Sequence, residues 1–135
     1  MTRHLVDANV LLRFLRNDDP VQSPRAKALL ALAQQGEVVL AVSVLTMAEV
    51  FYALRASYKV SRPAAAELLS QLLRANVLEI EQETIVADAL ARVGAANVDM
   101  GDAVLAAQAA ASGDAIATFD RDFTHFPDVR CLQWV

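Results

Sequence analysis

Val38-Val39-Leu40-Ala41-Val42-Ser43-Val44-Leu45-Thr46-Met47-Ala48-Glu49 is the stretch that decides the fold. Its first five residues are continuously apolar and rich in β-branched side chains, the pattern of a strand covered on both faces, and such strands sit inside parallel sheets. The Thr46-x-x-Glu49 spacing that follows resembles a capping box and opens a helix through about Tyr58, with Val50, Phe51 and Leu54 on its apolar side. A buried strand running into a helix is the repeating unit of an α/β domain.

The same alternation extends in both directions. Upstream, His4-Leu5-Val6 is a short strand ending at Asp7, and Val10, Leu11, Phe14 and Leu15 then recur at helical spacing. Ser23-Pro24 reads as an N-cap with proline in the first turn of a second helix, whose stripe of Ala26, Leu29, Leu30 and Ala33 ends near Gly36. Downstream, Ser61-Arg62-Pro63 begins a helix to about Arg74, and Val77 to Ile80 is a third strand. Glu83 to Ala95 is a helix broken near Asn97, and Asp99 caps another that stops at Gly113. Ala115 to Phe119 and Arg130 to Trp134 read as a fourth and a fifth strand. The expected architecture is a single domain over residues 1–135, with a parallel sheet of about five strands and helices on both faces.

Composition agrees with this reading. The 135 residues are 56% apolar and hold only four Gly and four Pro, so the chain can bury a continuous core. Its longest strongly apolar run, Val38 to Ala48, is interrupted by Ser43 and Thr46 and is too short to span a bilayer. Asp7 falls where a signal peptide needs its apolar segment, and the single cysteine, Cys131, has no internal disulfide partner. A cytoplasmic location with no membrane association is expected. The net charge of −4 argues against non-specific binding to nucleic acid. It is unevenly spread: residues 1–62 carry eight Lys/Arg to five acids, and residues 63–135 carry four to eleven. The first half suits phosphates and the second suits cations, although two solvated helix faces account for the distribution equally well.

Ligand sites of parallel α/β sheets form outside the carboxyl ends of the strands. Four acids fall there: Asp7 at the end of strand one, Asp120 after strand four, and Glu49 and Asp102 in the first turns of helices that follow a strand or a loop. Each alone is explained by an ordinary role, as a cap, a dipole partner or a turn residue. Together they repel one another unless a divalent cation compensates them, and hard oxygen donors suit Mg²⁺ or Mn²⁺.

Four segments carry a resemblance: Val6-Asp7-Ala8-Asn9-Val10-Leu11, Ser43-x-x-Thr46-x-x-Glu49-Val50, Gly101-Asp102-Ala103-Val104-Leu105-Ala106-Ala107 and Ala117-Thr118-Phe119-Asp120-Arg121-Asp122-Phe123. In this order, and over essentially the whole chain, they resemble the PIN-domain nucleases, most closely the VapC-like toxins of bacterial and archaeal toxin–antitoxin pairs. The resemblance implies a PIN-like fold and a Mg²⁺- or Mn²⁺-dependent endoribonuclease. Asp7, Glu49, Asp102 and Asp120 match the family's acidic quartet, and Asp122 matches an accessory acid of some members. Asp99 is an added acid or only the cap of its helix. Asn9 and Thr118 match the family's small polar residue after the first acid and its hydroxyl before the last. The resemblance also implies a homodimer and a VapB-like antitoxin whose C-terminal segment blocks the acidic site. Arg13 and Arg16 are candidate contacts to the RNA backbone, though a solvated face explains either alone.

His4, His125 and Cys131 lack metal-ligand spacing and read as structural, as do Phe126 and Trp134, expected in the core or an interface. No nucleophile elbow and no Gly-rich phosphate loop follows the first strand. Two other readings stand beside the nuclease. A haloacid-dehalogenase-like phosphatase needs a second acid where Asn9 stands and a lysine later than Lys59, the last in the chain. A catalytically inert PIN-like module that binds RNA or protein needs none of the acids.

Overall fold

The computed structural model describes residues 1–134. Among them are three strands, β1 (Thr2–Leu5), β2 (Val38–Val42) and β3 (Glu79–Ile80). Six α-helices accompany them: α1 (Ala8–Arg16), α2 (Gln22–Gln34), α3 (Val44–Ala56), α4 (Arg62–Arg74), α5 (Glu83–Ala95) and α6 (Met100–Ser112). A 3₁₀ turn, Arg121–His125, follows.

The strands form one parallel sheet in the order β1-β2-β3. Parallel neighbours need a crossover between them, and helix pairs supply both: α1 and α2 lead from β1 to β2, and α3 and α4 from β2 to β3. Register sets Leu5 opposite Ala41 and Val42 opposite Ile80, so the strands end at one edge of the sheet. There Val6 N–H donates to the Ala41 carbonyl at 2.9 Å and Glu81 N–H to that of Val42 at 2.9 Å.

The sheet is smaller than the five strands expected. Ala115 to Phe119 meets Arg130 to Trp134 only at a parallel bridge between Ile116 and Cys131, closed by Ile116 N–H to the Arg130 carbonyl and Leu132 N–H to the Ile116 carbonyl, each at 2.8 Å. Burial explains the shortfall: within Ala115 to Phe119 only Ile116 is buried, and Phe119 is 87% exposed. One anchoring side chain fixes a bridge, not a ladder. Among the described residues β1 has no strand on its other edge, and its Leu5 is 85% exposed.

Two helix starts also differ from expectation. The cap of α3 is Ser43, whose hydroxyl accepts from Thr46 N–H at 3.1 Å and donates to Thr46 Oγ1 at 3.0 Å. Glu49 therefore lies in the second turn, beyond reach of a capping role. At α2, Ser23 is buried rather than capping, and Asp19 accepts from Val21 and Gln22 N–H at 2.9 and 2.7 Å. Those two bonds hold the Asp19 carboxyl below its ordinary range. Ser61 before Pro63 opens α4, and Gly113 in the left-handed region closes α6, as their sequence signals predict.

The core lies under β2 and among α3, α4, α5 and α6, with Leu40, Phe51, Leu54, Leu69, Leu90 and Met100 fully enclosed. α6 contributes mostly small residues, Ala103, Ala106 and Ala107, so α5 packs closely against it. Phe51 and Leu54 are core residues, Tyr58 is half-buried and Tyr52 is 42% exposed.

The C-terminal segment is held by Arg92 of α5, only 9% exposed. Its guanidinium donates to both carboxylate oxygens of Asp128 at 3.0 and 2.5 Å and to those of Asp88 at 3.1 and 3.3 Å, and it lies 5.0 Å from the centroid of the Phe126 ring. Two carboxylates and an aromatic face hold the arginine firmly charged. Arg92→Ala should lower stability by about 2–3 kcal/mol, the worth of charged hydrogen bonds and buried stem together, and raise hydrogen exchange first in residues 116–132. Denaturant melts and native-state exchange measure both.

Candidate active site

Asp7 occupies the N-cap position of α1 in extended backbone (φ −79°, ψ 152°), yet its side chain makes no capping bond. Asp99 at the N-cap of α6 likewise makes none. Neither Glu49 nor Asp102 has a side-chain hydrogen bond among the described residues. The ordinary duties of acids at helix starts are thus left undone at Asp7, Asp99, Asp102 and Glu49.

At the beginning of α6 the charges of three acids, Asp120, Asp99 and Asp122, bear on a fourth, Asp102. Asp102, in the first turn, is half-buried, and its carboxyl is pushed above its ordinary value first by burial and then by the charges of Asp120, Asp99 and Asp122. Asp120 arrives on the far side of the 115–119 segment in a fixed pose. Thr118 Oγ1 accepts from Asp120 N–H at 2.9 Å, and Asp120 Oδ1 accepts from Asp122 N–H at 2.8 Å. The turn role expected of Asp120 is real, but it engages one carboxylate oxygen and leaves the other. Asp99 is partly neutralised by Arg62, whose Nη2 stands 3.9 Å away.

Asp7 and Glu49 are not among the charges that act on Asp102. Asp7 leaves the sheet edge beside Ser43, and Glu49 sits on α3, which packs against both α1 and α6. Tyr52, one turn beyond Glu49, joins α3 to α6 by accepting from Gly101 N–H at 2.9 Å. No group of three or more His, Cys, Asp or Glu stands close enough together to hold a metal ion among the described residues. The donor chemistry nevertheless fits a hard divalent cation: the Asp102 carboxyl is raised first by burial and then by the neighbouring acids, with no cation among the charges that act on it.

The other expected residues are placed as follows. Asn9, in the first turn of α1, lines a cleft of about 330 Å³ with Val10, Arg13, Gln22, Arg25, Ala26 and Leu29. Arg13 is neither a solvated side chain nor a free cation: it donates to Gln22 at 2.9 Å and Tyr58 at 2.7 Å and pairs with Asp18 at 3.4 Å. Arg16 lies 5.6 Å from the Tyr58 ring centroid. His4 and His125 are exposed and Phe126 is buried, whereas Trp134 is 55% exposed rather than in the core. Tyr52 and Arg62 are the positioning residues that sequence reading missed. The i, i+3 spacing of Glu49 and Tyr52 was the available signal for the first.

Residues 4–129 match the PIN domain family, and the chain belongs to it. PIN domains are in general nucleases that use divalent metal ions. Among solved structures, one that the chain resembles is described as "Crystal structure of VapBC2 from Rickettsia felis bound to a DNA fragment from their promoter", at 18% identity over 100% of both chains with a TM-score of 0.41. No curated protein matches the chain. No helix is long and apolar enough to cross a membrane among the described residues.

Because the Asp102 carboxyl is raised on folding, its ionisation opposes the folded state. The resulting penalty is absent below the ordinary carboxylate value near 3.8, grows as pH rises towards the raised one and is complete above it. Asp102→Asn should therefore raise the melting temperature at pH 7 and leave it nearly unchanged at pH 3. Mn²⁺ should raise the melting temperature of the wild type at pH 7 more than that of the variant.

Proposed function

We propose that the protein is a metal-dependent endoribonuclease hydrolysing RNA phosphodiester bonds, the toxin of a VapBC-like toxin–antitoxin pair. The observation that carries this reading is the half-buried Asp102 at the start of α6, on which the charges of Asp120, Asp99 and Asp122 act, in a PIN-family chain. Uncompensated carboxylates destabilise a fold, so their assembly calls for a cationic ligand.

A bound Mg²⁺ or Mn²⁺ would neutralise charge building on the scissile phosphate and supply an activated water. Asp7, Asp102 and Asp120 are the proposed ligands, and Glu49 would hold a second ion or orient the attacking water. Thr118 holds the Asp120 backbone, so it sets where that carboxylate stands. Asn9 is assigned to the substrate phosphate. Asp122 and Asp99 adjust the charge of the cluster, the latter against Arg62.

The PIN-family acids also define the proposed partners. RNA is the substrate, and the cluster complements a basic side chain of a VapB-like antitoxin. Homodimerisation rests on the VapC resemblance alone.

Asp7→Asn should reduce RNA cleavage by at least about a hundredfold, the usual loss when one preorganised charge-stabilising group is removed, with circular dichroism unchanged. Cleavage at the wild-type rate would refute the site assignment. Calorimetric titration with Mn²⁺ should show a site in the wild type; no binding at millimolar metal would favour an inert module.

A further inference from the structure

A pair of aromatic rings stands in solvent beside the acid cluster. Phe119 is 87% exposed and Trp134 55% exposed, and the rings stack with centroids 4.7 Å apart and planes 17° from parallel. The pair is anchored: Trp134 Nε1 donates to the Thr118 carbonyl at 2.8 Å, and the hydroxyl of the same threonine accepts from Asp120 N–H at 2.9 Å. One residue thus fixes both the ring pair and a candidate ligand.

Folding does not account for this arrangement, because rings this exposed bury little apolar surface. Trp134 backs one face of Phe119 and leaves the rest of that ring open to water. We propose that Phe119, stiffened by Trp134, is a stacking platform for one unpaired nucleobase of the RNA substrate. The assignment rests on the nuclease reading for its ligand.

Electrostatics favour a base over other occupants. A cluster of carboxylates repels the phosphate backbone, so affinity close to it is best drawn from the neutral part of a nucleotide. Stacking supplies that without regard to sequence, since every base has a π face. Arg121, two residues beyond Phe119, is exposed and makes no ion pair among the described residues, which leaves it free for an adjacent phosphate. A second protein copy fits poorly. Two rings fall well short of the roughly 800 Å² per partner of a stable interface, and Asp120, Arg121 and Asp122 beside them are charges that interface cores exclude.

The test is binding of a fluorescein-labelled single-stranded RNA hexamer, and of an abasic hexamer with the same backbone, measured by anisotropy in EDTA. Phe119→Ala should weaken RNA binding about five- to a hundredfold, leave abasic binding unchanged and keep the melting temperature, and Phe119→Trp should restore affinity. Three results would overturn the platform: RNA binding within twofold for Phe119→Ala, equal wild-type affinity for both hexamers, or a dimer that becomes monomeric in the alanine variant. Cleavage assayed separately in Mn²⁺ keeps the two readings apart. A wild type that cleaves while Phe119→Ala binds normally defeats the platform alone. Base-dependent binding without cleavage defeats the nuclease reading alone. Absence of RNA binding in EDTA defeats the platform, and absence of cleavage in Mn²⁺ as well defeats both.

Discussion

Parallel pairing on β2 is the constraint from which the rest of the structure follows. A parallel neighbour cannot be reached by a hairpin, so each strand must be followed by helices that return the chain to the start of the sheet. The register, Leu5 with Ala41 and Val42 with Ile80, brings the strand ends to one edge. What leaves that edge is polar in each case: Asp7 before α1, Ser43 before α3 and Glu81 after β3. Glu81 then accepts from Val44 N–H at 3.2 Å, tying the end of the third strand to the helix that carries Glu49.

The candidate site is assembled differently. Its tightest acids, Asp102 and Asp120, owe their proximity to the alanine face of α6, which lets α5 pack closely, and to the Arg92 clamp, which returns the C-terminal segment to α5. A sheet edge supplies Asp7, a helix–helix contact supplies Glu49, and an ion pair holds the support of Asp120. The charges that bear on Asp102 therefore come from two parts of the chain, Asp99 from the start of α6 and Asp120 and Asp122 from the segment after it.

Features governed by neighbours in sequence were legible and those governed by distant partners were not. Ser61 before Pro63, the Glu83 to Ala95 helix and the Gly113 stop are local signals, and the structure bears them out. The Ser43 cap was hidden because Thr46 and Glu49 offer the same spacing three residues later. Strand number depended on pairing across the chain: Ala115 to Phe119 has strand-like composition, yet with only Ile116 buried it holds a single bridge. In the site, acids at helix and strand ends pointed to Asp102 and Asp120. Tyr52 and Arg62 did not stand out, because each acts on a residue far along the chain that only folding brings near.

The modest attachment of the C-terminal segment has a thermodynamic consequence. Residues 116–132 are fastened by one bridge, one arginine and the buried rings of Phe123 and Phe126, whereas α3 to α6 share a continuous core. Such a segment is a cooperative unit of its own, opening at a lower free energy than the domain as a whole. When it opens, Asp120 and Asp122 depart with it and Asp102 is relieved of their charge. Repulsion within the cluster thus acts as a spring against the latch at Arg92, so a cation seated among the acids would tighten a segment more than twenty residues away from Asp102 at its far end.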